Sequence, residues 1–413
     1  MAIIKAFKGI RPKKEFATKI ASKPYDVLNE KEAKIEAEGN PYSFYHVIKP
    51  EIDFPEGFDH YAPEIYLKGK ENFSKLMKEG VFFQDDTDCL YIYAQTMNGR
   101  RQYGIVAAAA IEDYFNDVIK KHELTRPDKE EDRKKHVRTS MLNYEPVFFA
   151  YPKVDALDKI VQEVVKGTPE YDFVADEGIG HTFWVIRDEK TIQKIITEFT
   201  KLNTYVADGH HRTAAAALVG KDLRSENKNH TGKEAYNYFL AVHFPDDQLA
   251  IMDYNRVVKD LNGLTTEQFI KNLEQKFDIE KIGTTIFKPG NLHEFGMYLD
   301  GVWYKLFAHK DTYDDTDPIL SLDVTVLSKH ILEPILNIKD LRIDKRIEFV
   351  GGLRGLGELE KRVNSGEMKV AFALYPVSMK QLIDIADSGE IMPPKTTWFE
   401  PKLRSGLILH SLN

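Results

Sequence analysis

Residues 203–220 read NTYVADGHHRTAAAALVG, and the fold hangs on how this stretch is taken. Thr204, Tyr205 and Val206 form a short β-prone run, the length of one buried strand. Asp208-Gly209 is a turn dipeptide in which glycine can adopt a positive φ. From about His210, Thr213 and the alanines Ala214 to Ala217 predict a helix. The start of that helix has unsatisfied backbone N–H groups, which favour an anion. Asp208, His210, His211 and Arg212 crowd the same mouth. A carboxylate, two imidazoles and a guanidinium can hold a phosphate and move a proton. The same residues also suit a plainer role, an aspartate N-cap followed by surface histidine and arginine.

The chain has 413 residues, which predicts two or three domains. With 42% hydrophobic and 30% charged residues it is globular rather than disordered. A net charge of -8 argues against non-specific nucleic-acid binding. The single cysteine, Cys89, excludes an intramolecular disulfide and a Cys-rich metal site, and it fits a reducing cytoplasm. The start, MAIIKAFKGIRPKK, lacks a signal peptide's long apolar segment, and no run is long enough to span a membrane. The expectation is a cytoplasmic protein.

Ile3 to Phe7 reads as a strand, with Arg11 and Lys13 just behind it where α/β sites often sit; a solvated basic turn is the alternative. Phe44 to Ile48 suits a strand. Leu90 to Thr96 and Tyr103 to Ala108 predict a hairpin turned at Asn98-Gly99. Ile111 to Lys121 reads as a helix running into KHELTRP, residues 121–127. There Lys121, His122 and Arg126 can contact anionic oxygens, and Glu123 can act as base or metal ligand. Cations at a helix C-terminus stopped by Pro127 give a structural alternative. Asp128 to Lys135 reads as a solvated helix face, followed by His136, Arg138 and Asn143. Glu145 to Tyr151 and Tyr236 to Phe244 are buried strands, and Lys221 to Lys233 a loop. His181 and Trp184 read as packing residues. A boundary falls near Leu261, and Asp300-Gly301 signals a second hairpin. The acidic run from Asp311 to Asp317 lacks the glycine and terminal glutamate of a calcium loop. Gly351 to Gly357 has the wrong spacing for a dinucleotide fingerprint. The tail MPPKTTWFEPKLRSG, residues 392–406, reads either as a rigid loop closing over a site, with Lys395 and Lys402 on oxyanions, or as a docked strap. The fold expected is α+β, mixed sheets with helices. The expected domains are 1–126, an N-terminal α+β domain; 127–260, a central domain carrying ADGHHR; and 261–413, a C-terminal α+β domain whose tail returns to the site.

KHELTRP, YVADGHHRTAAA and MPPKTTWFEPKLRSG, with FKGIRP and KPYDV near the start, resemble the DUF1015 family over essentially the whole chain. The Asp-Gly-His-His-Arg core is also similar to the Asp-Gly-His-x-Arg motif of ParB-like free serine kinases and, more distantly, to the Gly-Cys-His-Arg turn of sulfiredoxin. The resemblance implies a ParB/sulfiredoxin-like core around residues 203–220 and phosphoryl transfer involving free serine or phosphoserine. On this reading Asp208 is the first choice of base and Glu123 the second, the other carboxylate helping to hold Mg²⁺. His210 and His211 bind or protonate phosphate oxygens, and Arg212 clamps the phosphoryl group. Lys121, His122, Thr125, Arg126, Arg11, Arg138, Lys395, Lys402 and Ser405 make up the binding set, with Trp398 as an apolar wall. The chain has no P-loop and no protein-kinase signature, so a compact donor such as pyrophosphate is expected, and no organic cofactor. ADP or ATP as donor, a phosphoserine phosphatase, and a ParB-like nucleotide- or DNA-binding regulator are the alternatives. Nucleic acid and membrane are not among the expected partners.

Overall fold

Leu90–Met97 and Arg100–Ala110 form the hairpin that Asn98-Gly99 predicts, and its two turn residues sit at positive φ, 51° and 77°. Turns of this kind match the right-handed twist of the strands they join. In the computed structural model, which describes residues 1–413, this hairpin lies inside a nine-stranded mixed sheet. The order is Ile119–Lys120, Thr204–Asp208, Val147–Tyr151, Tyr238–Pro245, Arg100–Ala110, Leu90–Met97, Gly180–Ile186 and Tyr171–Val174, with Ile4–Lys5 pairing on Arg100–Ala110. Helices Asp155–Val164 and Glu189–Phe199 supply Leu157, Ile195 and Phe199 to a core with Ile92, Ile105 and Trp184. Helix His210–Glu226 supplies Ala216 and Ala217 to a second core with Phe149, Val206 and Ala241. Ala214 to Ala217 are all buried, and their small side chains let a helix approach a sheet closely.

The chain divides into two units, Met1–Leu249 with Pro401–Asn413, and Ala250–Glu400. The expected division at residues 126 and 127 is therefore corrected, because strands from both sides of it share one sheet. Ile119 pairs with Thr204, and Ala110 with Tyr238. The expected boundary near Leu261 moves earlier, since Tyr254–Val258 pairs with Ile347–Gly351 and Val370–Leu374. The second unit holds a six-stranded sheet in which every pairing is antiparallel. Its order is Phe277–Gly283, Val302–Ala308, Glu294–Leu299, Val370–Leu374, Tyr254–Val258 and Ile347–Gly351. Asp300-Gly301 turns its hairpin, at φ 49° and 80°.

Several local expectations are corrected. The helix after Ala110 stops at Phe115; Asp117 takes φ 56°, and Ile119–Lys120 becomes an edge strand. Pro127 opens helix Pro127–Ser140 instead of ending one, since the first helical position needs no N–H from it. Within that helix Asp132 and Arg133 are buried, so 128–135 is not simply a solvated face. Residues 221–226 continue a helix, and Tyr45–Ile48 is helical rather than extended. No helix is long and apolar enough to cross a membrane.

Candidate functional site

Ile119–Lys120 and Thr204–Asp208 run parallel, so both leave the sheet at the same end. One continues into Lys121–Arg126 and the other into Asp208-Gly209 and its helix. The two segments meet there. The His122 and His210 rings stand edge to face, with centroids 4.5 Å apart. His210 Nδ1 lies 3.8 Å from Glu123 Oε2. The Arg126 backbone N–H donates to His211 Nε2 at 2.9 Å.

Gly209 caps the helix with φ 91°, so the aspartate N-cap expected as the plainer reading is not what forms. Its missing Cβ also makes room: an added Cβ would stand 3.0 Å from Arg212 Nε. The Thr213 N–H closes the first turn on the Gly209 carbonyl at 2.9 Å. The N–H groups of His210, His211 and Arg212 then have no acceptor within the helix.

Asp208 ends its strand between two cations. Lys402 Nζ approaches Oδ1 at 3.3 Å, and Arg212 Nη2 donates to Oδ2 at 3.1 Å. Burial opposes its charge, but Lys402 and Arg212 outweigh burial and hold the carboxyl below its ordinary range. Arg212 is buried, and its Nη1 donates to the Pro146 carbonyl at 2.9 Å. The guanidinium thus orients Asp208 and is itself pinned. The imidazoles behave oppositely. Burial, with His122 alongside, pushes His210 well below its usual value. Burial takes His122 down to about 4 against the pull of Asp208, and it lowers His211 as well. All three rings are neutral at pH 7. Nε2 of His210 is buried with no hydrogen-bond partner in the protein, and the buried His122 ring is met by the Val206 main chain.

Lys402 arrives on a segment that returns to the first unit. Ser405 exchanges backbone hydrogen bonds with Ser22, Leu409 does so with Ile10, and His410–Ser411 pairs with Leu142–Asn143. The Lys402 carbonyl accepts from Gln95 Nε2 at 2.8 Å, and Arg404 Nη2 donates to Glu177 Oε2 at 2.7 Å.

Of the residues singled out in the sequence, Asp208, His210, His211, Arg212, His122, Glu123 and Lys402 come together. The others take different partners. Arg11 is fully buried in a two-pronged pair with Asp85, both bonds 2.7 Å, and donates to the Tyr171 hydroxyl. Arg138 pairs with Glu226, at the far end of the helix that His210 begins, about 24 Å along it. Lys121 Nζ donates to the Tyr114 carbonyl and lies over that ring. Thr125 donates to Glu130, and the Arg126 side chain is exposed on Asp128. Ser405 donates to buried Glu145. Lys395 and Trp398 belong to the second unit. There the Lys395 carbonyl accepts from Arg256, and Trp398 donates to Glu400 and packs on Tyr254.

Sequence reading passed over Glu145, Arg133 and Asp26. Glu145 Oε1 accepts from the Tyr25 N–H and the Ser405 hydroxyl, and Arg133 stacks 3.9 Å from the centre of the Tyr25 ring. Asp26 is exposed, and its charge acts on Arg212 and His211. The KPYDV segment was the available signal, and it reads only as extended chain until its partners are known. No group of three or more His, Cys, Asp or Glu side chains is arranged to hold a metal.

No curated protein matches this chain. Among solved structures, it is similar to a free serine kinase in complex with AMP, at 12% identity and a TM-score of 0.33, over 74% of this chain and 92% of that one. A conserved hypothetical protein from Pyrococcus furiosus is 14% identical with a TM-score of 0.34, over 74% of this chain and 95% of that one. SbnI with C-terminal truncation from Staphylococcus aureus is 12% identical with a TM-score of 0.38, over 73% and 85%. A family model described as a protein of unknown function, DUF1015, matches residues 4–325, and the chain belongs to that family.

Proposed function

We propose that this protein transfers a phosphoryl group between a polyphosphate donor and the hydroxyl of free serine. One observation carries the reading: the start of helix His210–Glu226, capped by Gly209 with no side-chain hydrogen bond, lies beside the Lys402–Asp208 pair and two buried neutral imidazoles. Phosphoryl transfer needs positioning and charge stabilisation more than covalent chemistry. Three helix N–H groups and the Lys402 ammonium meet the donor's oxygens. A neutral imidazole can donate its one N–H to a phosphate oxygen without the cost of burying a cation. The serine hydroxyl gives its proton to a carboxylate, Asp208 or Glu123. His211 holds the 121–126 segment rather than a phosphate, and Arg212 orients Asp208. Mg²⁺, when bound, neutralises part of the donor's charge, with Asp208 or Glu123 lending an oxygen.

Serine as acceptor follows from the Asp-Gly-His-His-Arg resemblance. Pyrophosphate is the donor read first, as a compact polyanion suited to many separate cations; ADP and ATP are the alternatives. The test incubates purified protein and Mg²⁺ with serine and each donor in turn and looks for phosphoserine. Formation from any one of them supports the reading. Phosphate release from phosphoserine, with no phosphoserine formed from any donor, makes the protein a phosphatase and overturns it. Glu123→Gln and Asp208→Asn identify the base: the variant that loses about 10²–10⁴-fold in kcat with donor KM retained has lost it.

A further inference from the structure

We infer that Asp26, with the N–H groups that Arg133 and Arg212 turn toward an inner cavity, forms the subsite for a free α-amino acid, its ammonium on Asp26 and its carboxylate on the two arginines. The inference rests on the phosphotransfer reading above and deepens it by assigning the residues that recognise serine as a small zwitterion.

Both arginines are more than nine-tenths buried, at 8% and 7% exposure. Arg133 spends Nε and Nη2 on Asp132 Oδ2, at 3.0 and 2.8 Å. Its Nη1 is buried with no hydrogen-bond partner, and Glu145 Oε2 stands off at 3.7 Å. Arg212 spends Nη1 on the Pro146 carbonyl and Nη2 on Asp208, and its buried Nε has no partner. The two arginines and Glu145 line one cavity. It measures about 20 Å³, where a single water takes about 10–15 Å³. That is room for the two oxygens of a carboxylate. A buried donor left unsatisfied is costly, so a carboxylate that completes both guanidinium groups gains charge-assisted hydrogen bonds. Glu145 shares the cavity without closing it to an anion. Its Oε1 already accepts from the Tyr25 N–H and the Ser405 hydroxyl. Burial raises its pKa, so it is neutralised more readily than an ordinary glutamate when a second carboxylate enters.

Asp26 supplies the opposite charge. Its segment is held on both sides: the Lys23 N–H donates to the Tyr45 hydroxyl, the Tyr25 N–H to Glu145, and the Val27 N–H to the Pro24 carbonyl. The Asp26 side chain itself is exposed and makes no hydrogen bond or ion pair within the protein. It stands beside the cavity, because Tyr25 is tied to Glu145 and the next residue, Pro146, holds Arg212. Among the carboxylates that act on Arg212, Asp26 has the largest effect, ahead of Asp208 and Glu145. Arg212 is thus the common neighbour of the cavity, of Asp208 and of Asp26. Serine carries its carboxylate and ammonium on one carbon and its hydroxyl on the next, so one molecule can reach all three. A serine within a peptide has neither charge.

Calorimetric titration compares L-serine with 3-hydroxypropionate, which lacks the ammonium, and with ethanolamine, which lacks the carboxylate. Serine should bind about tenfold tighter than either, the size of one charged hydrogen bond. Asp26→Asn, at an exposed position, should keep the melting temperature, weaken serine about tenfold and leave 3-hydroxypropionate unchanged. A merely structural aspartate would move both ligands alike. A crystal structure with serine should place its carboxylate against Arg133 Nη1 and Arg212 Nε. Serine binding indifferent to Asp26→Asn, or a carboxylate seated elsewhere, overturns the subsite and leaves the phosphotransfer reading standing. No serine binding, together with no phosphoserine from any donor, sinks both.

Discussion

Arg11 and Arg212 are both buried arginines, each on a nearby aspartate, yet their surroundings give them different work. Arg11 meets Asp85 through two donors and sits among Phe83, Tyr91 and Tyr171, none of them on the 121–126 or 208–212 segments. Removing one partner of a buried pair leaves the other charge stranded. Arg11→Met is therefore expected to cost about 3–5 kcal/mol of stability in urea melts, while the folded fraction keeps the wild-type kcat. A stable Arg11→Met with activity lost would return Arg11 to the site. His211 is the opposite case. Its one protein hydrogen bond accepts the Arg126 N–H, so its ring fastens the 121–126 segment to the helix start. His211→Ala should cost about 1 kcal/mol in the same melts and raise donor KM more than it lowers kcat. A kcat loss with KM unchanged would instead mean that the ring touches the reacting phosphoryl group.

At the scale of elements, what was legible in the sequence were the features with a strong local cause. Asn98-Gly99 and Asp300-Gly301 turn their hairpins because only such residues take positive φ readily. Thr204–Asp208, Gly209 and His210–Glu226 follow the order that 203–220 announces. The place of Lys121 to Arg126 was not legible, because the apolar spacing of 111–119 imitates a helix that Asp117 actually breaks. Nor was the partner of any one cation legible. Asp85 is 74 residues from Arg11, and Glu226 is 88 from Arg138, so only the tertiary fold decides which basic residues remain for a site. The helix that carries the site also depends on its thinness. Gly220 lies where an added Cβ would come 2.4 Å from the Tyr236 carbonyl, a backbone atom that cannot rotate away. Gly220→Ala gains helix propensity but must push the helix away from the turn at Ala235–Asn237, and overpacking of this kind costs about 1–3 kcal/mol. The expected outcome is a lower melting temperature together with weaker donor binding, since the His210 end shifts with the helix. A stabilised Gly220→Ala would show that the helix tolerates a wider spacing.

For the whole molecule, the histidines of the first unit set its response to acid. Burial holds His122 and His243 down to about 4, and His136, His181 and His410 to about 3. All five are buried in the same unit. Unfolded, each binds a proton near pH 6.5; folded, each stays neutral until far lower pH. Between those values the unfolded chain holds more protons, so stability falls as pH falls. At pH 5 each contributes about 2 kcal/mol of destabilisation, and the five together approach the stability of an entire domain, about 5–15 kcal/mol. The second unit is balanced differently. Burial disfavours the charged His293, but Asp323 and Asp315 outweigh it and raise its pKa, so that residue stabilises more as pH falls, while half-buried His330 is lowered and opposes it. The first unit should therefore unfold on going from pH 7 to pH 5, while the carboxylates are still mostly ionised, and the second should change little. Hydrogen exchange followed by peptide mass spectrometry separates the two, with protection lost over residues 1–249 and kept over 250–400. Equal loss in both units would mean that they unfold together, and none in the first by pH 5 that its histidines take up protons without unfolding.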